Sequence, residues 1–159
     1  APEAAVFRGA GGATLAGHGL LVLLAFGALA ANAAGGLTYV VQERAIKRGR
    51  LSGVSRRLPS LDVVDRFSFQ ALVVGFPFLT LGIGLGLVGA AAAYGPAWLW
   101  QPTPIVALGT WAIYGVMLQL RAARGWGGRR AAYLAVVGFA ALVATLTVSL
   151  LLPTRHVVL

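Results

Sequence analysis

A chain of 159 residues with 58% hydrophobic residues, only 11% charged ones and a mean hydropathy of +0.83 is an integral membrane protein, not a soluble globular domain. It contains no cysteine, which excludes disulfides, thiolate metal sites and cysteine nucleophiles. The net charge of +9 raises nucleic acid as a partner, but no aromatic–basic interleaving or binding module accompanies it, so none is expected.

In chain order, residues 1–17 are rich in Ala and Gly and read as a weakly ordered leading segment. The start at Ala1 points to a processed, trimmed or partial product. Residues 19–41 carry no charge and are long enough to cross a hydrocarbon core of about 30 Å. They are too long for the apolar part of a signal peptide, so a first transmembrane helix is predicted there. Residues 43–66 form a basic loop with Arg44, Lys47, Arg48, Arg50, Arg56, Arg57 and Arg66. Within it, Pro59-Ser60 could start a short amphipathic helix capped by Ser60, with Asp62 in its first turn.

From Phe67 to Leu120 there is no charge, far more than one span of about 20 residues needs. Something must divide this region. Pro96, Pro102 and Pro104 do so, because each lacks an amide donor and biases its predecessor out of helix. Two spans are therefore predicted, about 67–92 and 105–120. Pro77 is a possible kink in the first, and Gly82 and Gly86 have the small-xxx-small spacing of a close helix contact. Tyr94, Trp98 and Trp100 suit a water–lipid boundary, where an apolar ring with a polar edge is most at home. A second basic loop, 121–130, precedes a fourth span at about 131–152, ended by Pro153. The fold class is all-α: a single polytopic membrane domain, a four-helix transmembrane bundle.

All of the 13 basic residues except Arg8 and Arg155 fall in the two loops on one side. The positive-inside rule makes that side cytoplasmic. The Trp/Pro connection and both termini then lie at the outer face of a bacterial inner (plasma) membrane. Attraction of the loops to anionic lipid follows from the same charges.

Few residues can carry chemistry. Glu3, Glu43, Asp62 and Asp65 lie outside the predicted spans and do not form a converging pair, so carboxylate catalysis is not expected. No Asp, Glu, Lys or Arg lies within a predicted span, which speaks against a proton relay or ion pathway. No inverted repeat suggests a transporter. His18 opens the first helix and His156 follows the fourth, so both belong to the outer face, beside the connection. Two facing imidazoles can hold a haem iron, and each can equally be a polar side chain at a boundary.

The connection reads Tyr94-Gly95-Pro96-Ala97-Trp98-Leu99-Trp100-Gln101-Pro102-Thr103-Pro104-Ile105-Val106, followed by Trp111, Tyr114 and Leu118-Gln119-Leu120-Arg121. It resembles the tryptophan-rich signature of the cytochrome c assembly family, closest to its CcsA- and HemX-like branch, roughly W-G-x-Y-W-x-W-D-P-K-E-T-W with W-x-x-Y and L-H-x-R beyond. The segments 58–62, 75–82 and 124–133 resemble the stretches around that signature, so the likeness covers about residues 18–156. It implies His18 and His156 as axial haem ligands, with iron the only metal, and Tyr94, Trp98, Trp100 and Trp111 as a haem-facing shelf. It implies no catalytic residue. Partners would be other membrane subunits and apocytochrome c or another haem protein. The departures are specific: the signature's Asp is Gln101, its Lys is Thr103, its Glu is Pro104, its last Trp is Val106, and its later His is Gln119. Two functions follow. The chain binds or handles haem at the outer face, or it is a degenerate accessory subunit of a larger membrane complex, such as a respiratory one, without haem.

Overall fold

The structure is a computed structural model that describes the backbone of residues 2–49 and 59–151 and the side chains of residues 12–49 and 59–151. Among the described residues it is all-helical, in the order α1 (Pro2–Lys47), α2 (Leu61–Tyr94), a short 3-10 helix (Pro96–Trp100), α3 (Pro102–Arg124) and α4 (Gly128–Leu151). The described part of all four α-helices is long and apolar enough to cross a membrane.

The helices outrun the uncharged segments that signal them. Nothing in residues 2–17 breaks a helix, so α1 is continuous from Pro2 through 46 residues, about 70 Å of helix. The expected loose leading segment is thus helical. His18, expected to open the first helix, lies well inside it. No separate amphipathic helix precedes α2: Leu61 continues unbroken to Tyr94, Pro77 included, and Ser60 stands at the N-cap without a side-chain cap bond. Pro102 and Pro104, expected in the connection, sit in the first turn of α3, where a missing amide donor is no loss. The connection proper is therefore short. Gly95 turns it at φ 77°, a left-handed value that only glycine adopts cheaply, and the 3-10 turn follows. Arg121 and Arg124, expected in a loop, form the last turn of α3, where their charge opposes the helix dipole.

Neighbouring helices run antiparallel in a ring. α1 packs between α2 and α4, and α3 closes the ring between the same two. One end of the bundle gathers Arg44, Lys47, Arg66, Arg121, Arg124, Arg129 and Arg130 (the arginine end); the other carries the connection (the tryptophan end). In lipid, burying an apolar side chain against another helix gains little over leaving it among acyl chains, so close contact must hold the bundle. The centre is Leu29, Leu72, Tyr114, Met117, Ala135 and Leu142. Small residues let the backbones approach: a Cβ on Gly36 would lie 2.8 Å from the Ala132 carbonyl oxygen, and one on Gly75 would lie 2.9 Å from Leu29.

Among the polar contacts between helices, two lie deep within the spans. Asn32 on α1 donates through Nδ2 to the Ser68 carbonyl (2.7 Å) and to Ser68 Oγ (2.9 Å), and the Ser68 hydroxyl donates back to the Asn32 carbonyl (3.0 Å). Thr110 on α3 meets Thr145 on α4 at 2.8 Å between hydroxyls. Such contacts average about 0.6 kcal/mol in membrane proteins, so they set register more than stability.

Candidate functional site

His18 projects from α1 onto the glycines of α2. Its Nδ1 lies 2.7 Å from the Gly82 carbonyl oxygen. A carbonyl only accepts, so Nδ1 carries the proton, and in the neutral imidazole the lone pair is on Nε2. One turn further along α2, Gly86 forms the seat: a Cβ there would stand 2.7 Å from His18 Cε1 and 2.8 Å from Nδ1. The imidazole thus lies against bare backbone, half-buried, with one nitrogen anchored. This is the arrangement of a ligating histidine, whose second nitrogen is held by a carbonyl that fixes tautomer and ring orientation. His18 by itself therefore fits the role of a ligand to a metal-centred group. The Gly82-xxx-Gly86 spacing was visible in the sequence as a smooth face; that it receives His18 required the fold.

The other expected site residues divide. Gly86 precedes Tyr94 by eight residues, so His18 lies about 12 Å of helix below the connection, at the same end of the bundle. Tyr94 is the last residue of α2 and half exposed. Trp98, in the 3-10 turn, has its indole Nε1–H enclosed without a hydrogen-bond partner among the described residues. Trp100 is 84% exposed. Trp111 stands apart from them, about 13 Å down α3 from Pro102. Its ring stacks on Phe76 of α2 at 5.9 Å and 25°, and its Nε1 donates to Thr80 Oγ1 at 3.0 Å. It ties α3 to α2. His156 lies outside the described residues. Among the described residues no group of three or more His, Asp or Glu could hold a metal ion.

At the arginine end, where the sequence predicts basic loops placed by topology and drawn to anionic lipid, the structure adds ion pairs. Arg121, 8% exposed, pairs with Asp65 Oδ1 at 3.1 Å, donates to the Asp65 carbonyl at 3.0 Å and lies 5.1 Å over the Phe69 ring. Asp65 Oδ1 also accepts from the Gly128 amide at 3.1 Å, the first residue of α4. One carboxylate therefore fastens the start of α2, the end of α3 and the start of α4. Glu43 on α1 pairs with Lys47 at 2.7 Å and reaches Arg129 of α4 at 3.9 Å. Arg44 donates to the Tyr133 hydroxyl at 2.9 Å. Apart from Glu43–Lys47, which is an i,i+4 pair, no local pattern signals these contacts; Asp65 and Arg121 are 56 residues apart.

The family described as cytochrome C assembly protein matches residues 12–156 of the chain. The chain is 38% identical over 108 residues to the cytochrome c biogenesis protein CcsA of Crocosphaera subtropica, which covers 68% of this chain and 32% of that protein. It is 45% identical over 83 residues to CcsA of Synechococcus elongatus, 52% of this chain and 26% of that one. The chain thus spans about a third or less of the curated relatives it matches. No solved structure matches it.

Proposed function

Because the chain belongs to the cytochrome c assembly protein family, as an integral membrane protein, we propose that it binds or handles haem at the tryptophan end of the bundle. The observation that carries this reading is His18, with Nδ1–H anchored on Gly82 and Nε2 left with a free lone pair. Haem, when bound, supplies a redox-active iron and a flat apolar ring. His18 Nε2 would hold the iron from one side and His156 is proposed for the other. Trp98 would offer an enclosed indole donor, and Tyr94 and Trp100 flat apolar surface toward the ring. Trp111 would act at a distance, by holding α3 against α2 so that the connection keeps its place. Apocytochrome c or another haem protein is the proposed recipient, approached from the exposed Trp100. The arginine end would be cytoplasmic and the tryptophan end outside, in a bacterial plasma membrane. The chain would present haem, without turning over a substrate.

An absorption spectrum of the purified chain loaded with haemin tests this. The expected result is a Soret band that weakens in His18→Ala and in His156→Ala and returns when free imidazole is added. A band unchanged in His18→Ala would sink the proposal. A second reading, an accessory subunit without haem, is favoured by the loss of the signature's charged members at Gln101, Thr103 and Pro104. It predicts a colourless chain that co-purifies with several membrane polypeptides. Orientation has its own test, since the absence of cysteine lets one be placed at Trp100 or Arg124. An impermeant maleimide applied to intact cells should label only Trp100→Cys.

A further inference from the structure

A groove of about 680 Å³ runs along the outward side of α3, away from the His18 seat. Its wall on the α2 side is Phe76. Along α3 it is lined by Trp111, Gly115, Val116, Gln119 and Arg124. The stacked Phe76–Trp111 pair, locked by the Trp111–Thr80 bond, stands at one end of it. Gly115 keeps the floor low: even a Cβ there would come within 3.5 Å of Phe76.

The lining is apolar except at two places. Gln119 exposes an amide within the uncharged run, where an unpaired polar group is costly in hydrocarbon. Arg124, at the arginine end of the groove, has no ion-pair, hydrogen-bond or ring partner among the described residues. Its neighbour Arg121 is buried and already paired through Nη2 with Asp65. From Trp111 to Arg124 the groove measures about 20 Å of helix, enough for one leaflet, about 15 Å, and a headgroup.

We propose that this groove holds one anionic glycerophospholipid, its phosphate on Arg124, its ester carbonyls at Gln119 and an acyl chain lying over Gly115 as far as Trp111. An acyl chain matches the apolar lining, and Arg124 is a cation without a counter-charge placed at headgroup depth. A helix of a partner protein would also cover the apolar wall, but the charge at the groove's end calls for an anion. The site uses neither His18 nor the connection, so it stands whether or not the chain binds haem.

Thermal unfolding of the purified full chain in detergent, titrated with dioleoyl phosphatidylglycerol or dioleoyl phosphatidylcholine, tests it. Phosphatidylglycerol is expected to raise the midpoint saturably and phosphatidylcholine to do so only weakly. Arg124→Gln should raise the half-saturating mole fraction of phosphatidylglycerol about fivefold, the loss of one basic contact at a membrane surface. Gly115→Leu should abolish the response by filling the floor, while the lipid-free midpoint stays near that of the unaltered chain. Equal responses to the two lipids would overturn the proposal, and so would a phosphatidylglycerol response that survives both substitutions. Reproduction of the effect by inorganic phosphate alone would also overturn it. Should Gly115→Leu instead displace a co-purifying membrane polypeptide without altering lipid selectivity, the groove is a helix-docking surface and the lipid assignment fails.

Discussion

The two ends of the bundle use their polar groups differently. At the arginine end the carboxylates close circuits: Asp65 joins Arg121 and the Gly128 amide, and Glu43 joins Lys47 and Arg129. At the tryptophan end polar capacity is left over. His18 anchors one nitrogen and keeps a lone pair on the other, and the Trp98 indole N–H is enclosed without a partner among the described residues. An unmet donor or acceptor costs more in a bilayer than beside water. Arg121 Nη1 and Gln42 Oε1 at the arginine end are also enclosed without a partner among the described residues, so the contrast lies in the ion pairs gathered at one end and the oriented imidazole held at the other. The arginine end ties helix ends together through ion pairs; the tryptophan end presents an oriented imidazole.

The largest expected effect attacks the first half of that contrast. Asp65→Ala removes the partner of a guanidinium whose side chain is 4% exposed, and it also frees the amide that starts α4. Breaking a buried pair from one side costs about 3–5 kcal/mol. Unfolding in detergent, followed by circular dichroism, should show a loss of about that size. Asp65→Ala combined with Arg121→Met should recover most of it, because no uncompensated charge then remains. If Asp65→Ala is nearly silent, the arginine end is not what stabilises the bundle.

How much of this could be read in advance depends on the range of the interaction. The four helices were legible because uncharged runs and prolines are local signals. The family was legible because Trp98, Trp100, Trp111 and Tyr114 keep their spacing along one stretch of chain. The beginning of α1 was not, since Ala- and Gly-rich sequence with only Glu3 and Arg8 for charge and no periodicity marks no boundary, and His18 was therefore placed at a helix start it does not occupy. Trp111 was grouped with the other aromatics by proximity in sequence. In space, the 3-10 turn and the first turns of α3 separate them, and Thr80 draws its indole to α2. The Asp65–Arg121 pair depends on which helix ends meet, and only the ring order of the helices decides that.

A middle-sized effect sharpens the second half of the contrast. Gly86→Ala places a methyl group 2.7 Å from His18 Cε1, too close for any real contact. Overpacking of this kind costs about 1–3 kcal/mol. Since the clash is with the imidazole, the penalty should largely vanish when Gly86→Ala is made in a His18→Ala background. Thermal midpoints of the four proteins in this cycle measure it. In haemin-loaded protein, Gly86→Ala alone should weaken the Soret band by turning the ring off its seat. An additive cycle would mean that the glycine serves helix packing and does not orient His18.

The smallest effect concerns Thr110, eight residues into α3 on the tryptophan side of the bundle. Its hydroxyl lies 2.8 Å from Thr145 Oγ1 and 3.3 Å from the Ala141 carbonyl, while Thr145 already donates to that carbonyl at 2.9 Å. With the Thr145 proton committed within α4, the Thr110 proton serves the contact between the two hydroxyls. Thr110→Val deletes one donor and strands nothing, because Thr145 keeps its bond inside its own helix. A loss of about 0.6 kcal/mol is expected, the average for such bonds in membrane proteins. Asp65→Ala differs in kind: it leaves a charge unmatched, whereas Thr110→Val leaves a hydroxyl with a fallback. A measured loss near that of Asp65→Ala would mean that the tryptophan half also depends on its polar contacts for stability. The division of roles between the two ends would then fail.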